Sequence, residues 1–215
     1  MICLFGGTFD PVHVGHVHAA VTVCETLNLA EIRMLLSARP GHRGATGAPV
    51  ASRWEMLVLA CSGDPRLVPD DGEVRRAERE GRPSYTVETL EELRVVHPDA
   101  VLLWVVGSDA YREITAWHRW REVLELANLV VLNRPGAPLD LPAELDALTR
   151  ARRLEHPPAA PAGGILILEA PMLAVSATRI RGALARSEGA VADLLPPAVY
   201  TYIKEHHLYG VVSDP

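Results

Sequence analysis

The stretch Gly6-Gly7-Thr8-Phe9-Asp10-Pro11-Val12-His13-Val14-Gly15-His16 follows a short apolar run, Ile2–Phe5, and leads into a segment of helical composition, Gly15 to Leu27. That order reads as a strand, a tight loop and a helix. The pattern recurs along the chain. Ile32–Leu36 is a second buried strand, and a loop rich in Gly, Ala and Pro (Ala38 to Val50) leads to a helix over Ser52–Cys61 with Ser52 as its cap. Ser84 opens another helix, to about Val96. Val101–Val106 is nearly unbroken hydrophobic sequence, as expected of a strand covered on both faces of a parallel sheet, and ends at a glycine, Gly107. Helix-like sequence follows through Leu126, then strands at Leu129–Leu132 and Ile165–Leu168 and helices at Ala177–Ala185 and Pro197–His206. Alternating strands and helices predict an open, mostly parallel α/β sheet with helices on both faces. Residues 70–83, dense in charge, and residues 133–164, holding six of the 17 prolines, read as surface excursions.

The chain has 215 residues, 48% of them hydrophobic and 22% charged. A substantial core needs no disulfide or metal staple at that length. Twenty-one basic and 27 acidic side chains leave a net charge of −6. Broad electrostatic capture of nucleic acid or an anionic membrane is therefore not expected, whereas a local pocket for a small anion is compatible with it. Cys3, Cys24 and Cys61 lack CxxC spacing and read as buried thiols in a reducing compartment. The apolar start, Met1 to Phe5, has no basic flank, and no apolar run reaches the roughly 20 residues that span a bilayer, so a cytoplasmic protein is expected.

In an open parallel sheet, ligands collect beyond the carboxyl ends of the strands, where the first loop lies. Gly6 and Gly7 would let the backbone turn and let a ligand approach main-chain N–H groups. The following helix aims its N-terminal N–H groups and positive dipole end at the same place. His13 and His16, three apart at that helix start, can both face one anion and donate to phosphate oxygens. A second anion site is predicted at Val175-Ser176-Ala177-Thr178-Arg179-Ile180-Arg181, with Ser176 as N-cap, Thr178 in the first turn and Arg181 one turn on.

The first loop resembles the signature of the HxGH nucleotidyltransferase superfamily, which pairs it with an ISSTxIR segment; here Ala177 replaces the second serine. Pro83-Ser84-Tyr85-Thr86-Val87-Glu88-Thr89-Leu90, Gly107-Ser108-Asp109 followed by Trp117, and Asn133-Arg134-Pro135-Gly136 are similar to elements of nicotinate-nucleotide adenylyltransferases, as are the terminal Leu194–Val199, Tyr202-Ile203 and Leu208-Tyr209. The likeness runs from Ile2 to Tyr209. It implies a Rossmann-like nucleotidyltransferase fold with five parallel strands, formed as a single domain over residues 1–215 with a C-terminal helical part (about 176–209) packed on it. It implies AMP transfer from ATP to nicotinate mononucleotide, releasing pyrophosphate.

Under that resemblance Gly6, Gly7, Thr8, Phe9, His13, His16, Gly107, Asp109, Ser176, Thr178 and Arg181 contact ATP. His13, His16 and Arg43 serve catalysis. Ser84, Tyr85, Thr86, Asp109, Trp117 and Arg134 hold the acceptor, with Trp117 stacked on the pyridinium ring and Trp120 left to the core. Mg²⁺ arrives with ATP, no dense acidic cluster suggesting a protein cage. Pro40-Gly41-His42-Arg43 stands where the family usually has a PHK sequence, an arginine replacing its phosphate-reaching lysine in a chain whose one lysine is Lys204. Two other readings fit the loop: a sister nucleotidyltransferase using a different phosphate ester, and a non-catalytic nucleotide sensor. Oligomeric state is open, a homodimer among the options.

Overall fold

The computed structural model describes residues 1–38, 46–171 and 173–211. Strands β1 (Ile2–Gly7), β2 (Ile32–Leu36), β3 (Leu67–Asp70), β4 (Leu102–Gly107), β5 (Asn128–Asn133), β6 (Arg153–Leu154) and β7 (Ile165–Glu169) form one sheet. Their order is β3-β2-β1-β4-β5-β7-β6, and every neighbouring pair is parallel. The order reverses between β1 and β4, which makes a crevice at their carboxyl ends.

Helices α1 (Val14–Thr26), α2 (Val50–Cys61), α3 (Gly72–Glu80), α4 (Thr86–Val96), α5 (Ser108–Arg112), α6 (Trp120–Leu126), α7 (Ala143–Arg152), α8 (Ala177–Ala185) and α9 (Pro197–Glu205) flank the sheet. The unbroken hydrophobicity of β4 has its reason here. Leu103 and Val105 enter one core with Ala20 and Val23 of α1, Met56 of α2, Ile180 of α8 and Ile203 of α9. Leu102, Trp104 and Val106 enter the other, with Leu90 of α4, Tyr111 of α5, Val123 of α6 and Leu145 of α7.

The five strands expected from sequence are all present, and two short edge strands, β3 and β6, are added. Four and two residues long, they are too brief to show alternation, and Pro69 in β3 is tolerated because that strand pairs on one side only. The two supposed excursions are also structured in part. Residues 70–83 contain α3, whose buried face is Glu73, Arg76 and Ala77. Two charged residues on the inward face defeat a hydrophobicity reading. Residues 133–164 contain α7 and β6. The helix expected after Gly107 is broken into α5, a 3₁₀ turn at Ile114–Ala116 and α6. Helix α2 starts two residues before Ser52, with Pro49 at its N-cap, so Ser52 is not its cap. Ser84 precedes α4, whose N-cap is Tyr85. All three cysteines are buried and free, and burial pushes the Cys61 thiol up to about 12.

Candidate active site

Gly6 and Gly7 lie within β1 rather than in a turn, and neither has positive φ. Their lack of a side chain matters for packing: a Cβ on Gly6 would come 2.7 Å from the Trp104 ring, and one on Gly7 would come 2.6 Å from the Phe9 ring. The residue that turns the loop is Phe9, at φ 45°. Its ring is buried in the core and stands edge-on to His16, centroids 5.0 Å apart. Phe9 therefore packs its buried ring against His16.

His13 is the N-cap of α1. Its backbone N–H donates to Nδ1 of His16 at 3.3 Å. That contact leaves Nε2 to carry the proton of the neutral His16 ring. The two imidazoles stack, centroids 3.7 Å apart and planes 20° from parallel. His13 is buried, and among the described residues its Nδ1 has no hydrogen-bond partner. Burial lowers its pKa to about 4, so at neutral pH it is uncharged.

The second predicted anion terminus lies beside the first. Ser176 Oγ accepts from the Arg179 N–H at 3.3 Å, so Ser176 caps α8 as expected. Arg181 donates to the Asp10 carbonyl at 2.7 Å and stands 3.6 Å from the Asp10 carboxylate. A Cβ on Gly15 would lie 3.7 Å from Val175, and His18 Nε2 is 2.8 Å from the Pro171 carbonyl. Neither α1 nor α8 has an acidic residue in its first turn, a feature they share with α2 and α9 but not with α3 to α7. Two helix ends left without an acidic neighbour are suited to hold an anion. Thr178 is exposed, 3.4 Å from Arg181. Arg43 lies outside the described residues.

Buried side chains missed by sequence reading fix this geometry. Asp10 accepts from the N–H groups of Gly47 and Ala48, at 2.7 and 3.1 Å, and from the Tyr209 hydroxyl at 2.9 Å. It thereby ties the first loop to the start of α2 and to the C-terminal segment. Arg53, 1% exposed, donates to the carbonyls of Thr8, Ser37 and Ala38 at 2.8, 2.8 and 2.9 Å. Backbone carbonyls at the ends of adjacent strands rarely have partners in a parallel sheet, and a buried guanidinium supplies five donors to gather them. Asp10 stood within the quoted motif, but nothing about Arg53 marked it off from a solvated arginine.

A cavity of about 370 Å³ opens beside the loop. Its wall combines Gly7 and Thr8 with Ser37, Glu73, Ser84, Tyr85, Thr86, Gly107, Trp117 and His118. Trp117 and His118 fall in the break between the 3₁₀ turn and α6, which lets them face the cavity. His118, missed in the sequence, packs on Tyr85 with ring centroids 4.4 Å apart. The Ser84 hydroxyl donates to the Glu73 carbonyl at 3.3 Å, locking the turn before α4. Trp120 is partly buried and lines a separate cavity with Leu124 and Leu148. Two predicted acceptor contacts stand outside the wall: Asp109 is exposed and 3.2 Å from Arg112, and Arg134 is exposed just past β5. Among the described residues no three His, Cys, Asp or Glu side chains group as metal ligands would, and no helix is long and apolar enough to cross a membrane.

Known proteins resemble this chain in sequence and in fold. Residues 4–183 match the model of the cytidylyltransferase-like family. The chain is 43% identical over 211 residues to a Pseudomonas paraeruginosa protein named a probable nicotinate-nucleotide adenylyltransferase, covering 97% of this chain and 96% of the relative. A Stenotrophomonas maltophilia protein of the same name is 43% identical over 212 residues, with 95% of each chain covered. A Plasmodium falciparum nicotinic acid mononucleotide adenylyltransferase, solved in complex with NaAD, superposes with a TM-score of 0.76 at 15% identity over 98% of both chains. At that identity the likeness is one of fold. With a family match over most of its length and relatives this similar end to end, the chain belongs to the cytidylyltransferase-like family and, within it, to the nicotinate-nucleotide adenylyltransferases.

Proposed function

We propose that the chain transfers the adenylyl group of ATP to the phosphate of nicotinate mononucleotide, giving nicotinate adenine dinucleotide and pyrophosphate. An oxygen of the acceptor phosphate attacks the α-phosphorus of ATP. The bond from that phosphorus to the bridging α–β oxygen breaks, and pyrophosphate leaves with the electron pair. The attacking phosphate is already a nucleophile, so the protein's tasks are alignment and charge stabilisation.

The observation that carries this reading is that one loop serves both sides. Gly7 and Thr8 line the acceptor cavity, and the same loop runs on to His13 and His16 at the α1 terminus, beside α8. His16, its proton on Nε2, donates to the phosphate oxygens as charge builds on them, and His13 assists as a neutral ring. The α8 terminus with Ser176, Thr178 and Arg181 grips the remaining phosphates, and Arg43 is assigned to the same polyanion. Mg²⁺ enters as part of the ATP substrate, drawing charge from the phosphate oxygens. On the acceptor side the pyridinium stacks on Trp117. Its carboxylate meets the first-turn N–H groups of α4 at Tyr85 and Thr86, near Ser84. Asp109 and Arg134, beside the carboxyl ends of β4 and β5, are assigned to ribose and phosphate at the rim.

Pyrophosphate release from ATP, measured across a panel of phosphate esters, tests the proposal. Turnover is expected with nicotinate mononucleotide well above pantetheine, sugar or polyol phosphates. A preference for one of those esters, or ATP binding without release, overturns it.

A further inference from the structure

Glu73 differs from every other side chain in the cavity wall. It is 4% exposed, its Oε2 has no hydrogen-bond partner among the described residues, and its Oε1 lies 3.4 Å from the Thr89 hydroxyl. The cation that acts on it, Arg76 one turn along the same helix, is already engaged. Arg76 donates to Glu92 at 2.9 Å and to the Thr89 hydroxyl at 2.6 Å, and stands 3.8 Å from Glu88. Among the described residues no cation forms an ion pair with Glu73. The groups facing it are thus Arg76 on its own helix, Thr89 and Glu88 on α4, and the uncharged Ser37 past β2, with Tyr85 and His118 as the other ionisable side chains of the wall. Burial in the wall, with Glu88 adding a little repulsion, gives Glu73 little reason to ionise. Burial, the largest cause, raises it to about 7, with Arg76 and the Ser37 and Thr89 hydroxyls pulling the other way.

We propose that the Glu73 carboxyl discriminates acceptors by charge: while protonated it admits a pyridine carboxylate, and once ionised it cancels the preference for the acid over the uncharged amide. This rests on the reading that the acceptor's ring substituent docks at the α4 terminus. Thr89, which Glu73 touches, is one turn into α4, so the two carboxyl groups lie on the order of 5–10 Å apart. At that separation, across a low-dielectric wall, mutual repulsion is worth about tenfold in affinity. Glu73 acts through space on the substrate and is a positioning residue.

The test is kcat/KM for the acid and amide mononucleotides from pH 6 to 9. Both acceptors carry the same phosphate and ribose, so titration of those groups and of ATP cancels in the ratio. The acid-to-amide ratio is expected to fall about tenfold across pH 7–8 in the wild type and to stay flat in Glu73→Gln. Glu92→Gln, at a half-exposed position, removes an anion and releases Arg76, so the fall begins at lower pH; this variant carries the test if Glu73→Gln does not fold. If the amide is not turned over, its inhibition constant replaces its kcat/KM. A flat wild-type ratio overturns the proposal, as does an unmoved profile in Glu92→Gln. A fall that persists in Glu73→Gln also overturns it and points to His118 or Tyr85. Turnover with a flat ratio defeats only the role of Glu73, whereas no pyrophosphate with either mononucleotide at any pH defeats the adenylyl-transfer reading with it.

Discussion

Consecutive residues, Gly6 to His16, supply most of the side of the crevice proposed to face phosphates, while the proposed acceptor side draws Ser37, Glu73, Tyr85, Trp104 and Trp117 from separate parts of the chain. The first is held by hydrogen bonds between charged side chains and backbone: buried Asp10 accepts from two N–H groups, buried Arg53 donates to three carbonyls, and the partly exposed Arg181 donates to one. The second is held by ring packing and by the Ser84–Glu73 and Thr89–Arg76 contacts between α3 and α4. Phosphates are common to every reaction of this kind, so their binding is built into the scaffold. Acceptors differ, and their selection rests on side chains that can change without disturbing the strands.

The largest effect should come from the support beneath the phosphate loop. Arg53→Leu leaves three carbonyls without their donor and is expected to cost about 3–5 kcal/mol. A thermal melt should show a fall in Tm of about 10 °C or more; an unchanged melt would show that the loop is held by something else. His16→Ala should lower kcat about 10²–10³-fold with little change in acceptor KM. Near-normal turnover would remove His16 from the mechanism.

The two sides should also respond oppositely to pH. Burial depresses the folded-state pKa of His13 to about 4 from its ordinary value of 6.5. The unfolded chain therefore takes up this proton first as pH falls, and stability drops between about 6.5 and 4, by up to about 3 kcal/mol. Glu73 is raised from 4.5 to about 7, so its contribution is full below 4.5 and is lost as pH rises toward 7. Denaturant unfolding at pH 7 and 4.5 should show a steeper acid loss in the wild type than in His13→Asn; equal losses would contradict the burial of a neutral ring. Trp117→Ala belongs to the acceptor side alone. It should raise acceptor KM about 2–30-fold, the worth of a cation–π contact of about 0.5–2 kcal/mol, and leave ATP KM unmoved. A matching rise for ATP would erase the division between the two sides.

The same division explains what could be read from the amino acids alone. The proposed phosphate side stands out because its residues are contiguous and chemically unusual: paired histidines at a helix start, glycines at a strand end, a serine cap before Thr178 and Arg181. The five inner strands were legible because burial on both faces leaves an apolar run. Glu73 and His118 were not. Glu73 sits in a charged stretch whose helix points a carboxyl and a guanidinium inward, and only tertiary packing distinguishes it from a solvated face. His118 reaches the cavity because the chain breaks between α5 and α6, with Arg119 at φ 51°, a conformation no periodicity announces. Gly6 and Gly7 do not turn the chain as their pairing suggests; they lie in β1 and make room for Trp104 and Phe9.

The central claim is that α1 and α8 grip one triphosphate from two sides. A crystal structure with a non-hydrolysable ATP analogue tests it most directly. Phosphate oxygens should lie within hydrogen-bond distance of both His16 Nε2 and the Ser176–Arg181 turn, in one continuous chain of phosphates. A triphosphate that touches only one of those helix ends, or lies along the cavity without reaching either, would contradict it.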